Sequence, residues 1–322
     1  MTAPALFLGI DGGGTKTEFL CLDQGGAIVA GHVGATTYHP QVGVEGVSTV
    51  LAEGIAAVCR AIDGDPQRFA HVFFGLPAYG EDSRIDPELA ALCGRLLGHD
   101  RYGCGNDMIC GWAGSLACRD GINIVAGTGS IGYGERQGRT ARTGGWGEIF
   151  SDEGSAYWIA VQGLNRFSRM SDGRLPKGPL HDAFSTALDL PNDLDICARI
   201  MGPTSMTRDQ IAGLARIVDR AAEDGDAVAR DILAAAGDQL FALAEALRIQ
   251  LGFADAEPVP MSRSGGVLSE FRLVRERFEA AATAAQAQYQ LVAPLHRPAY
   301  GAALYAMHLS SNSRRSISAR QP

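Results

Sequence analysis

The chain opens with two short apolar runs around a polar turn. Leu6 to Ile10, bounded by glycines, reads as a buried strand, and Phe19 to Leu22 reads as its returning partner. The segment from Asp11 to Thr17 is then a hairpin tip. A Gln24-Gly25-Gly26 turn leads into a third strand, Ala27 to Val33, which completes a meander. The period then changes: Val47, Leu51, Ile55, Val58 and Ile62 recur at helical spacing from Val44 to Ile62, and Asp63-Gly64-Asp65-Pro66 ends that helix. His71 to Leu76 is a buried strand and Pro87 to Leu97 a helix. Strands alternating with helices behind an antiparallel meander predict an α/β domain with a mixed sheet.

The opening pattern returns in the middle of the chain. Ile122 to Ala126 is strand-like, Gly127-Thr128-Gly129-Ser130 is a glycine and hydroxyl turn, and Ile131 to Glu135 returns. Alone, this would be an ordinary hairpin; as a second copy of the first it suggests a duplicated unit. A helix is expected from Asp152 to Met170, and Ala-rich helices over about Arg208 to Ala222 and Ala227 to Leu251. Strand-like Val259 to Ser262 runs into Ser264-Gly265-Gly266-Val267, and strand-like Tyr289 to Ala293 precedes a last helix, Ala299 to Leu309. The expected organisation is an N-terminal domain over 1–116, joined by the C-terminal helix 298–309, a second domain over 117–297, and a disordered tail over 310–322.

With 322 residues there is enough chain for two ordinary domains, and 46% hydrophobic with 20% charged residues excludes wholesale disorder. A net charge of −8 argues against nucleic acid or an anionic membrane as partner. The start lacks a basic leader and no run reaches membrane-spanning length, so a cytoplasmic protein is expected. The seven cysteines, Cys21, Cys59, Cys93, Cys104, Cys110, Cys118 and Cys197, are scattered without a CxxC pair and read as reduced, mostly buried thiols.

The first turn carries candidate chemistry. Gly12, Gly13 and Gly14 permit positive φ and leave room for backbone N–H groups to converge on an anion, while Thr15, Lys16 and Thr17 add hydroxyls and a cation. Asp11 would repel phosphate unless a divalent cation lay between, which points to ATP with Mg²⁺ held at Asp11 through water. A Walker loop needs glycine directly before lysine and a helix afterwards; here Thr15 intervenes and a strand follows. A Rossmann turn also needs a following helix.

With both hairpins placed, TGGWGEIFSDEGSAYWIAVQGL from Thr143 closely resembles a segment of the N-acetylglucosamine kinases, in the group that also holds the benzoyl-CoA reductase-type ATPases. LGIDGGGTKTE, AGTGS, GGWG, DEGSAYWIA, IAGLARIVDRAAEDGD and SGGVL occur in family order along nearly the whole chain. The resemblance implies a two-domain actin-like (ribonuclease H-like) ATPase fold, with duplicated mixed sheets flanked by helices. It also implies ATP-dependent phosphorylation of an amino sugar at the 6-hydroxyl, with N-acetylglucosamine first and glucosamine second.

Carried over by position, Asp107 falls on the family's catalytic carboxylate and contacts the acceptor. Asp11, Gly13, Gly14, Thr15 and Lys16 form the first phosphate turn, and Gly127, Thr128, Gly129 and Ser130 the second. Ala212, Gly265 and Gly266 match the adenosine pocket. Gly145, Trp146, Gly147 and Asp152 match residues that hold the sugar hydroxyls, as does the segment Thr37, Tyr38, His39. From the residues alone, Asp107 reads first as an N-cap, a reading the resemblance reverses; Asp152 and Glu153 suit a helix start, which a binding role does not exclude; and Trp146, which could be core, reads between its two glycines as a loop residue against a ligand. Two positions depart from the family: Tyr38 stands where it has an asparagine, and Ser151 where it has a glycine. The expected partner is a small-molecule sugar, with a homodimer left open. The rival reading is an activator ATPase of a 2-hydroxyacyl-CoA dehydratase or aryl-CoA reductase, which would need cysteines for an iron–sulfur cluster; Cys104 and Cys110 are the only close pair before the second hairpin.

Overall fold

The computed structural model describes residues 4–203 and 205–318, which form two compact units: one from Met1–Asp120 with Ala293–Pro322, the other from Gly121–Val292. In the first unit, β1 (Leu6–Gly12), β2 (Lys16–Asp23) and β3 (Ile28–Ala35) form the antiparallel meander, followed by α1 (His39–Ala61), β4 (Phe69–Leu76), α2 (Asp86–Leu97), β5 (Tyr102–Asn106) and α3 (Met108–Leu116). The sheet order is β3-β2-β1-β4-β5, with β4 and β5 parallel to β1.

The second unit repeats this plan. Its strands are β6 (Gly121–Ala126), β7 (Ser130–Arg136), β8 (Arg139–Gly144), β9 (Pro258–Ser264) and β10 (Gln288–Val292). They lie in the order β10-β9-β6-β7-β8, again an antiparallel meander with two parallel additions. Between β8 and β9 run α4 (Ala156–Ser171), α5 (Pro179–Ala187), α6 (Asp195–Met201), α7 (Arg208–Gly213), α8 (Ala215–Glu223) and α9 (Ala227–Leu251). Between β9 and β10 lie α10 (Gly266–Glu270) and α11 (Arg272–Ala284).

The helical spacing of α1 puts Val47, Leu51, Ile55 and Val58 against Leu8, Ile10, Phe19 and Phe74 on one face of the first sheet. By length and composition α1 could cross a membrane, contrary to the sequence reading, but this apolar stripe is spent on the sheet. The opposite face of the sheet is covered by the C-terminal helix, Pro298–Ser318: Ala302 and Ala306 pack with Phe7, Phe73 and Cys110, while Ala299 and Ala303 pack with Leu20 and Leu22. Small side chains allow backbone-to-backbone approach here. A Cβ on Gly9 would lie 2.0 Å from the amide nitrogen of Ala303, and one on Gly301 would lie 2.2 Å from the amide nitrogen of Gly114 in α3. The same helix, expected to end at Leu309, continues to Ser318, so this part of the expected tail is helical; residues 319–322 lie outside the described residues.

Candidate active site

In the first unit, β1, β4 and α3 bring two carboxylates together. Asp11 stands opposite Glu18 on β2 and Gly75 on β4. Asp107 immediately precedes α3, whose approach needs the bare glycine: a Cβ on Gly75 would lie 2.2 Å from Cys110 Sγ and 3.4 Å from the Asp107 Cα. Asp107 makes no side-chain cap to α3. The capping alternative is therefore not what this structure shows, and the amide of Met108 donates to Asn106 Oδ1 at 3.2 Å. Burial pushes the Asp11 carboxyl up to about 7, with the like charges of Asp107 and Glu18 adding to it; the Cys110 thiol and Lys16 oppose the shift. Glu18 in turn pairs with Arg297 and, at 2.5 Å, with Lys16.

A carboxyl whose folded pKa lies above its ordinary 3.8 keeps a proton that the unfolded chain has lost. Stability from this group is therefore full below about pH 4 and falls as pH rises through about 7, by at most about 4 kcal/mol. Asp11→Asn should flatten this pH dependence and raise the melting temperature of metal-free protein at mildly alkaline pH, while abolishing most turnover. Thermal melts against pH in chelator check it, and parallel wild-type and variant curves would remove the assignment.

The glycines of the first turn do not adopt positive φ, contrary to the sequence expectation. They are used for space. A Cβ on Gly12 would lie 2.4 Å from Thr37 Oγ1, and one on Gly13 3.2 Å from the Lys16 carbonyl, whereas one on Gly14 would meet nothing within 4 Å. Thr15 and Lys16 are exposed beside it. The Thr36 hydroxyl donates to the Gly13 carbonyl at 2.7 Å, bracing the turn from behind. Thr37 is buried and receives the Thr17 hydroxyl at 3.1 Å. Tyr38 is the exposed residue ahead of α1, and His39 has a buried Nδ1 without a hydrogen-bond partner among the described residues.

The second turn is docked on the start of α4: the amides of Ala156 and Tyr157 donate to the carbonyls of Gly127 and Thr128 at 2.9 and 3.2 Å, and Ser130 Oγ donates to the Glu153 carbonyl at 2.7 Å. Thr128 Oγ1 donates to Asp209 at 3.2 Å. Beside this turn is a cavity of about 240 Å³ that brings Gly127 and Thr128 together with Ala212 and Gly266. Gly213, Asp209, Arg216 and Phe271 also line it and were missed. Gly265 faces packing instead: its φ is 94°, and a Cβ would lie 2.3 Å from the Ala126 carbonyl oxygen. A larger cavity of about 610 Å³, between α5 and α8, lacks the glycine turns.

From Gly144 to Gly154 the chain repeatedly takes left-handed conformations, at Gly144, Gly145, Gly147, Asp152 and Gly154. Trp146 is 72% exposed, which excludes the core reading. Asp152, with φ of 58°, cannot begin a helix; Ser155 does so, accepting from the Trp158 amide at 3.1 Å. This corrects the expected start at Asp152. Ser151 is buried and donates to Glu153 at 3.2 Å. The Asp152 carboxylate accepts from Arg208 Nη2 at 2.7 Å.

Nucleotide and metal fit these residues. Gly14, Gly127 and Gly213 each have open space where a Cβ would be, so the protein itself does not require glycine there on grounds of crowding. Among the described residues no group of three or more His, Cys, Asp or Glu side chains could cage a metal ion, so Mg²⁺ would rest on Asp11, water and phosphate. An iron–sulfur cluster fits poorly: Cys110 is fully buried in the core of the first unit, and the free thiol of Cys104 is hydrogen-bonded with that of buried Cys93.

Two sheets of identical strand order, each with a glycine and hydroxyl hairpin between its first two strands, define a duplicated actin-like ATPase fold. The chain belongs to the BadF/BadG/BcrA/BcrD ATPase family, whose description matches residues 8–306. It is 28% identical over 312 residues to an N-acetyl-D-glucosamine kinase of Dictyostelium discoideum, covering 94% of this chain and 98% of that one. It is 28% identical over 303 residues to an N-acetylmuramic acid/N-acetylglucosamine kinase of Clostridium acetobutylicum, covering 93% and 97%. The fold is shared with a Chromobacterium violaceum chain provisionally named N-acetylglucosamine kinase, at a TM-score of 0.68 and 23% identity over 94% of this chain and 99% of that one.

Proposed function

We propose that this chain is an ATP-dependent kinase of an amino sugar, transferring the γ-phosphoryl group to the 6-hydroxyl, with N-acetylglucosamine the first acceptor and glucosamine the second. The observation that carries the reading is the pair of carboxylates Asp11 and Asp107 at one end of the first sheet, with Asp107 making no cap to its helix. Both relatives act on N-acetylglucosamine by name, which supports the acceptor class.

In this reading Asp107 accepts the proton of the attacking hydroxyl, and the turns at Gly13–Lys16 and Gly127–Ser130 hold phosphate oxygens. Mg²⁺ would be held by Asp11 and would supply charge neutralisation to the phosphates. Ala212 and Gly266 flank the nucleoside, while Trp146 and Asp152 orient the sugar. A coupled ADP-release assay over N-acetylglucosamine, glucosamine, N-acetylmannosamine, glucose and no sugar tests it. Release that depends on an amino sugar supports the reading; equal release with and without sugar ends it.

Tyr38 gives a narrower expectation. Its exposed ring stands at the residue that precedes α1, where the resemblance has a short amide, and beside it His39 Nδ1 is buried without a hydrogen-bond partner among the described residues. Tyr38→Asn should change the ratio of kcat/KM for N-acetylglucosamine over glucosamine by about tenfold, the effect of one polar contact. An unchanged ratio places Tyr38 outside the acceptor pocket.

A further inference from the structure

One guanidinium ties together three parts of the second unit. Arg208, the first residue of α7, donates from Nη2 to Asp152 at 2.7 Å, and its Nε lies 3.1 Å from Glu148 Oε2. A Cβ on Gly129 would lie 2.6 Å from Asp152 Oδ2 and 2.8 Å from Arg208 Nη2, so the ion pair rests directly against the second turn with no side chain between. Asp209, next along α7, accepts the Thr128 hydroxyl of that turn. Glu148 and Asp152 bracket the exposed Ile149 and Phe150, so Arg208 closes the acceptor loop on itself. The guanidinium is suited to this work because its planar fork can engage two carboxylates at once, which an ammonium cannot do with fixed geometry.

Asp152 depends on such a partner. It is 3% exposed and sits in a left-handed backbone conformation, and the groups that favour its ionised form are Arg208 first and the Ser130 backbone amide second. The charged groups facing it are Arg208 from α7 and Glu148 from the loop; Glu153 is turned to Ser151 and Asp209 to Thr128. Among the described residues, Arg208 is the cation in that set.

We propose that Arg208 is a positioning residue that keeps Asp152 ionised and aimed at a ring hydroxyl of the acceptor. The assignment rests on the sugar-kinase reading. Burial pushes the Asp152 carboxyl up, and Arg208 is the largest influence opposing that rise. Loss of the cation lets the carboxyl rise further, so the acidic limb of kcat/KM for the sugar moves to higher pH.

The test uses the full chain as wild type, Arg208→Gln and Arg208→Lys. Steady-state kinetics with the best sugar of the panel are measured from about pH 5 to about pH 9, alongside calorimetric sugar binding and melting temperature. Arg208→Gln should raise the sugar KM and Kd by about tenfold or more and shift the acidic limb upward, with kcat affected less. Arg208→Lys should restore the position of the limb, because charge is retained, and recover the affinity only in part. If Arg208→Gln keeps the wild-type limb and sugar affinity, or loses melting temperature alone, the assignment is overturned while the kinase stands. If the wild type neither binds nor phosphorylates any sugar, the kinase reading fails and this assignment falls with it.

Discussion

Asp107→Asn should lower sugar-dependent turnover by a hundredfold or more, equivalent to about 3 kcal/mol of transition-state stabilisation, because an amide of the same shape cannot accept the hydroxyl proton. The geometry makes this a sharp experiment. Asp107 provides no side-chain cap for α3, so the substitution removes no cap and the helix should remain intact. It also removes a like charge that raises the Asp11 carboxyl, so metal-free protein at neutral pH should melt at the same temperature or higher. Turnover lost with stability retained, and ATP still bound, identifies a chemical role. Turnover within threefold of wild type would refute the base assignment, and a large fall in melting temperature would identify a structural one.

Gly9→Ala should be severe for a different reason. Its Cβ would lie 2.0 Å from a backbone nitrogen and 2.5 Å from a backbone carbonyl carbon of the C-terminal helix, groups that cannot rotate away as a flexible side chain can. Relief requires the helix to move off β1, opening the contacts of Ala302, Ala303 and Ala306 with the sheet. A loss of about 4 kcal/mol or more is expected, seen as a melting temperature lower by about 10 °C or as insoluble protein. Gly14→Ala, in the turn that follows the same strand, is the control. Its added methyl meets nothing within 4 Å and its φ is not left-handed, so stability should be unchanged while the KM for ATP rises. Equal melting temperatures for Gly9→Ala and wild type would contradict the close crossing, and an unaltered ATP KM in Gly14→Ala would remove the first turn from the phosphate site.

Much of the fold could be read because its central strands are continuous apolar runs and its long helices carry clean periodic stripes. Leu6 to Ile10, Ile122 to Ala126 and Ala227 to Leu251 are of this kind, and the structure has β1, β6 and α9 there. The strands that escaped were β5, YGCGN, and β8, RTARTG, whose glycines and polar residues give no apolar signal; their neighbours in the sheet determine them. The helix expected from Arg208 is divided between α7 and α8 at Leu214, because alanine-rich periodicity runs through such a junction unchanged. At the site, glycine turns and lone carboxylates were visible as residue types. What they do depended on long-range geometry: the left-handed Asp152, its Arg208 partner 56 residues away, and the packing of α3 against Gly75 that sets Asp107 near Asp11. No local pattern encodes a partner at that separation.

The C-terminal helix imposes an order of assembly on the whole chain. The second unit is one unbroken stretch, Gly121–Val292, and has every strand and helix it needs once that stretch has left the ribosome. The first unit emerges earlier yet must wait longer: one face of its sheet, with Phe7, Leu20, Leu22 and Phe73, is covered only in part, by Ile109 and Cys110 of α3, until Ala299, Ala302, Ala303 and Ala306 arrive. The half that is synthesised first is therefore completed last, and Asp107 acquires its rigid support only when the helix that packs Gly301 against Gly114 has been made.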